Sequence, residues 1–149
     1  MAGLSDLYQE ILLEHNSKPR NFKALKDANQ TSEGYNPLCG DQITLSLKVV
    51  GGVIDDVGFQ ASGCAISRAS ASMMTQSIKG RSVEQAQHIF DAFHHMITEP
   101  EGEIDLDILG DLETLSGVNE YPTRIKCAIL AWHTMKAALN GDADGVSTE

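Results

Sequence analysis

Residues 42–61 read QITLSLKVVGGVIDDVGFQA, and the alternation in that stretch decides the fold. Ile43, Leu45, Leu47 and Val49 alternate with mostly polar neighbours, the pattern of a strand with one buried face. Gly51-Gly52 is a hairpin signal, and a second strand follows over 53–61 with Val53, Val57, Phe59 and Ala61 on one face. Both apolar faces carry odd numbers, so they coincide only if paired residue numbers sum to an even value. A three-residue loop, Val50 to Gly52, meets that condition and pairs Val49 with Val53, Leu45 with Val57 and Ile43 with Phe59. A two-residue Gly-Gly loop sets Leu47 beside Asp56 and puts the faces out of phase. The longer, bulged turn is therefore expected.

Helical patterns flank the hairpin. Residues 5–15 place Leu7, Tyr8, Ile11 and Leu12 at helical spacing with Leu4, and Ser5 stands where a cap belongs. Lys18-Pro19-Arg20-Asn21 ends that helix, and residues 21–37 are polar and turn-rich, with a short edge strand near 32–35. After Cys64 a helix runs over 65–78 and stops at Gly80. Ser82 caps the next, to about Ile97, with Val83, Ala86, Phe90, Phe93 and Ile97 as its buried stripe. A turn at Glu99-Pro100-Glu101-Gly102 and a short acidic helix over 106–115, closed by Gly117, lead to Tyr121-Pro122-Thr123. These open a last helix to about Asn140, with Gly141 as its C-terminal cap. The expected class is α+β: a small antiparallel sheet of two main strands and a short edge strand, packed on about five helices.

At 149 residues and 42% hydrophobic content the chain can bury a core as one domain. Eleven basic residues against 21 acidic give a net charge of −10, which disfavours nucleic acid and anionic membrane surfaces. No apolar run is long enough to span a bilayer. Residues 1–9 show neither a basic start nor an apolar core of a secretory signal, so a cytoplasmic location is expected. Residues 1–141 are expected to form the single domain and 142–149 a flexible acidic tail.

Three cysteines, Cys39, Cys64 and Cys127, make an odd number with no Cys-x-x-Cys pair, which argues against a disulfide framework. Cys39 lies 11 residues before Val50 and Cys64 11 after Val53, so equal hairpin arms bring both to the same open end. Asp41, two residues from Cys39, shares its face in extended backbone. Cys64 stands just before a helix, where a thiolate is favoured. On the last helix the apolar stripe is Ile125, Ala128, Ile129, Trp132, Met135 and Leu139, interrupted by Lys136; Cys127 points away from it, in the first turn. Three thiols and one carboxylate suit four-coordinate zinc. Spacing alone leaves open a shared metal site or three unrelated structural cysteines.

Three blocks resemble a known family: Asn36-Pro37-Leu38-Cys39-Gly40-Asp41, Gly63-Cys64-Ala65-Ile66-Ser67-Arg68-Ala69-Ser70 and Arg124-Ile125-Lys126-Cys127-Ala128. They are similar to the cysteine blocks of the IscU/NifU-N iron–sulfur cluster assembly family, as are residues 7–15 and 18–21. The scaffold branch of that family has a histidine before its third cysteine, where this chain has Lys126. The Cys64–Cys127 stretch is also longer, with an acidic insertion around Glu99–Leu115. Both traits resemble the SufU branch. The resemblance implies a zinc-dependent sulfur acceptor served by a SufS-type pyridoxal-phosphate cysteine desulfurase and delivering to iron–sulfur scaffold proteins. Cys39, Asp41, Cys64 and Cys127 would be the zinc ligands, Cys39 the sulfur acceptor, and Asp41 and Arg124 assisting residues. The alternative within the family is a scaffold carrying a [2Fe–2S] cluster on the same ligands.

Other features have bland readings. His88, Asp91 and His95 share a polar helix face that reads as solvated rather than metal-binding. His15 and His133 read as structural or surface groups, and Met73, Met74 and Met96 as core fillers.

Overall fold

The computed structural model of the chain describes residues 2–99, 106–141 and 146–147. Helix α1, Ala2–Ser17, is followed by strand β1, Gln30–Asn36, and by the hairpin of β2, Asp41–Val50, and β3, Val53–Ser62. Helices α2, Ala65–Ile78, and α3, Val83–Thr98, come next. One turn, α4, Leu106–Leu109, runs into a 3-10 helix, Gly110–Glu120, and α5, Pro122–Leu139, precedes β4, Val146–Ser147. Strand order is β3-β2-β1-β4, with the β1–β2 and β2–β3 pairs antiparallel. The α+β class is the expected one. No helix among the described residues is long and apolar enough to cross a membrane.

The hairpin reaches the required phase by a different route from the expected one. Gly51 and Gly52 both take positive φ, 57° and 78°, and form a two-residue turn that pairs Val50 with Val53 and Val49 with Ile54. The register then shifts between Lys48 and Val49, leaving Asp55 as an extra residue. Beyond that bulge Leu47 pairs with Val57, Leu45 with Phe59 and Ile43 with Ala61, so the expected partners are each displaced. Ile54, not Val53, faces the core: Ile54 is buried and Val53 exposed.

Other boundaries also moved. Ser5 lies inside α1 rather than capping it. The expected edge strand is a seven-residue β1, and Gly34 and Tyr35 pair in parallel with Val146 and Ser147 of the segment expected to fray. Residues 142–145 and 148–149 of that segment lie outside the described residues, as do residues 100–102 of the expected turn. The acidic helix is α-helical for only one turn before the 3-10 stretch, which contains both Gly110 and Gly117, poor helix formers. Ser82 caps α3 as expected, in a reciprocal capping box with Gln85.

The one-sided stripe expected for α5 is not what the fold uses. This helix packs against β1, β2, α2, α3 and the 3-10 helix, so Cys127, Ala128, Leu130, Ala131, Thr134 and Ala138 are buried along with Trp132 and Met135. Lys136 is exposed, with its Nζ 5.0 Å from the Phe90 ring centroid. Trp132 stacks on Phe93 at 4.4 Å and donates to Ser70 Oγ, tying α5 to α3 and α2.

His15 is buried against α2. The Ser72 hydroxyl accepts from the Arg20 N–H at 2.8 Å and is hydrogen-bonded to His15 Nδ1 at 2.7 Å. Burial, with the Arg20 charge, holds the His15 pKa below the ordinary imidazole value; burial does the same at His133. A depressed histidine pKa means the unfolded chain binds the proton more readily, so this stability is present above about pH 6.5 and lost as pH falls. The unfolding midpoint of the metal-free protein should therefore drop between pH 7 and pH 5, and His15→Gln should shallow that slope. An identical slope in the variant would remove His15 from this account.

Candidate metal centre

Asn36 and Asp41 are directly paired at the turn end of the β1–β2 ladder, and residues 37–40 connect them. Cys39 sits in that turn and is exposed, whereas Asp41 is fully buried. Cys64 is the N-cap of α2, its sulfur accepting from the Ser67 N–H at 3.4 Å. Its backbone N–H donates to Asp41 Oδ1 at 2.7 Å, and its Sγ lies 3.8 Å from Asp41 Oδ2. Cys127 comes from the second turn of α5, not the first, because the helix already begins at Pro122. Its Sγ is 3.5 Å from Cys39 Sγ.

Three of the four expected donors cluster at one end of the sheet, and the fourth, Cys64, lies next to them. Cys39, Asp41 and Cys127 carry ligand atoms within 4.8 Å of one another; Cys64 stands beside them through Asp41. A tetrahedral zinc with sulfur ligands needs sulfurs about 3.8 Å apart, close to the Cys39–Cys127 separation. Charge points the same way. Among the described residues no lysine or arginine pairs with the buried Asp41, whose partners are the neutral Asn36 amide and the Cys64 N–H and thiol. A buried carboxylate surrounded by thiols fits a cation.

A place in the first turn of a helix would favour a Cys127 thiolate. The structure reverses this: burial first, then the neighbouring Asp41, Cys64 and Cys39, push the thiol far up. Without a cation Cys127 stays protonated.

A cleft of ≈ 520 Å³ opens over the cluster, lined by Cys39, Cys64, Cys127, Leu12, Ile66 and Arg124. Arg124 is exposed at its rim, its guanidinium 5.1 Å from the Tyr121 ring centroid. The contacts that hold Asp41 come instead from Asn36 and Cys64. Asn36 was not among the expected site residues; the signal available was a polar residue in the inward phase of β1, with Ser32 and Gly34.

Gly63 makes this arrangement possible. Its φ of +126° disfavours a side chain, and a Cβ there would overlap the Asp41 carboxylate. Gly63→Ala should cost about 2 kcal/mol of stability and weaken any metal binding at this cluster, because the strain falls on Asp41, a candidate ligand. Calorimetry and zinc titration check this; an unchanged Tm with full zinc uptake would contradict it.

Comparison with known proteins agrees with the geometry. Residues 7–128 match the family described as NifU-like N terminal domain. The zinc-dependent sulfurtransferase SufU of Bacillus subtilis is 40% identical over 144 residues, 97% of each chain. The iron–sulfur cluster assembly scaffold protein IscU of Streptococcus pyogenes is 37% identical over 144 residues, 97% of this chain and 89% of its own. The solved structure of FiSufU from Fervidobacterium islandicum superposes with a TM-score of 0.83 at 32% identity, covering 92% of this chain and 99% of that one. The chain belongs to the NifU-like N terminal domain family.

Proposed function

We propose that this chain is a zinc-dependent sulfur acceptor that takes persulfide sulfur from a SufS-type, pyridoxal-phosphate cysteine desulfurase and passes it to iron–sulfur cluster assembly. One observation carries the reading: an exposed thiol, Cys39, stands 3.5 Å from the buried Cys127 sulfur, in a cluster that also holds the buried Asp41 and the capping Cys64. The likeness to the zinc-dependent sulfurtransferase SufU of Bacillus subtilis supports it. Cys39, Asp41, Cys64 and Cys127 would hold the metal. Bound zinc would supply a redox-silent Lewis acid that keeps its sulfur ligands deprotonated at neutral pH.

The transfer itself is a displacement at sulfur. The Cys39 thiolate attacks the terminal sulfur of the partner's cysteine persulfide; a new S–S bond forms at Cys39 and the partner cysteine leaves as thiolate. The terminal sulfur keeps its proton, and no net oxidation occurs. Cys39 can present itself because it sits in a turn, while Asp41 stays fixed by Asn36 and by the Cys64 N–H. Arg124, at the cleft rim, is placed to meet the incoming partner.

A second reading, a scaffold for a [2Fe–2S] cluster on the same four residues, draws on the name of the Streptococcus pyogenes relative. Lys126 counts against it, since an ammonium group has no lone pair for iron. Metal analysis of the protein as isolated separates the two. Colourless protein with one zinc, which stimulates a cysteine desulfurase, is expected; brown protein with iron and acid-labile sulfide would replace the first reading with the second.

Asp41→Ala gives a finer test. Three thiolates can retain zinc with water in the fourth position, so metal binding should persist while sulfur acceptance slows. Complete zinc loss combined with unchanged transfer would remove Asp41 from the proposed role.

A further inference from the structure

Asn36 occupies a position with no polar surface to serve. It is fully buried, at the last rung of the β1–β2 ladder directly opposite Asp41. Its amide nitrogen donates to Asp41 Oδ2 at 3.1 Å and to Cys127 Sγ at 3.6 Å. A side-chain amide has two N–H groups, one for each acceptor, so a single residue spans a donor on β2 and a donor on α5. The other end of the same amide is unused: among the described residues Asn36 Oδ1 is buried without a hydrogen-bond partner. An orphaned buried acceptor works against stability, so the donor end is what this position needs.

The neighbouring contacts complete the account. Asp41 Oδ1 is held by the backbone N–H of Cys64 and Oδ2 by Asn36, so each carboxylate oxygen is oriented by an N–H group that cannot itself ligate a metal. Cys127 Sγ has Thr123 O at 3.6 Å and Cys39 Sγ at 3.5 Å, with Asn36 Nδ2 as the amide donor aimed at it. When Asp41 and Cys127 both carry negative charge, a neutral double donor between them offsets their repulsion without competing as a ligand.

We infer that Asn36 is a positioning residue of the metal centre, one that fixes the Asp41 carboxylate and the Cys127 sulfur relative to each other and thereby sets metal affinity. The inference rests on the metal-site reading proposed above. Groups that orient ligands in this way typically change metal affinity tenfold to a hundredfold when removed.

Cobalt(II) serves as the probe because its thiolate charge-transfer and ligand-field bands report geometry as well as binding. Reduced, metal-free wild type, Asn36→Leu and Asn36→Ala are titrated with cobalt and, by chelator competition, with zinc. Both variants should bind about tenfold to a hundredfold more weakly, with shifted ligand-field bands. Their metal-free far-UV circular dichroism should match wild type, which a merely structural role would not combine with altered bands. A measurement on the unmodified chain covers the case in which the variants fail to fold. With 15N-asparagine labelling, the Asn36 side-chain NH2 signals should shift on zinc addition and exchange slowly with solvent. Wild type that takes up no cobalt would overturn both the metal-site reading and this inference. Wild type that binds while folded variants bind equally, with the same bands, would overturn the role of Asn36 alone; so would Asn36 signals that ignore zinc.

Discussion

Cys39→Ser should accept no persulfide sulfur and should stop stimulating a cysteine desulfurase, while remaining folded. The expectation follows from where each thiol sits. Cys39 is exposed in the turn between β1 and β2, so moving it breaks no helix or ladder hydrogen bond. Cys64 is only half-buried, yet its sulfur caps α2 and its N–H holds Asp41, so displacing it disturbs a helix start and a ligand together. Cys127 lines the cleft but is only 2% exposed, so it presents far less of its sulfur to a partner than Cys39 does. An attacking sulfur must be both accessible and deprotonated, and Cys39 is the most exposed of the three. Incubation with a desulfurase and cysteine, followed by peptide mass spectrometry without reductant, should place the added sulfur chiefly on the Cys39 peptide. Sulfur found chiefly on Cys127, with Cys39→Ser still active, would overturn the assignment and favour a scaffold.

The sequence carried the hairpin turn, the cap of α3 and the start of α5, because each is written in local signals. Gly51-Gly52, the Ser82–Gln85 box and Pro122 act within a few residues of where they stand. The register was harder, since it depends on where the phase changes. Ile54 and Val57 are both buried, an odd spacing that an unbroken strand cannot produce, and Asp55-Asp56 between them is where the bulge falls. That signal was present but outweighed by assigning Val53 to the inner face. The burial of α5 was not legible from its own periodicity. A helix enclosed on several sides has no single stripe, so a residue off the apparent stripe need not face water. Cys127 is such a residue. Its candidacy as a ligand comes from neighbours on three other elements, Asn36, Cys39 with Asp41, and Cys64, and those contacts span sequence separations no local pattern records. Asn36 escaped notice for the same reason: its partners on β2 and α5 become visible only once strand and helix are packed.

Cys127→Ser should have the largest effect on the metal-loaded protein and little on the metal-free one. Serine is close to cysteine in size, and in the absence of metal the buried Cys127 is a protonated thiol held by weak contacts to Thr123 O and Asn36 Nδ2, which a hydroxyl can replace. The metal-free Tm should therefore change by only a few degrees. With metal the situation differs, because binding that is confined to the folded state adds to stability as the ligand concentration rises above Kd. At about 1,000 times Kd that contribution is about 4 kcal/mol. For a domain of this size it corresponds to a Tm rise of roughly 8–16 °C. Removing a buried thiolate ligand should abolish most of that rise in Cys127→Ser at the same zinc concentration. Cys64→Ser should lose part of it as well, since the proposed ligand is also the cap of α2. Differential scanning calorimetry of wild type and variants, each with and without zinc, separates the metal-linked stability from the intrinsic fold. A full zinc-induced rise in both Cys127→Ser and Cys64→Ser would mean that the three thiols do not share a metal, and the site would be wrong.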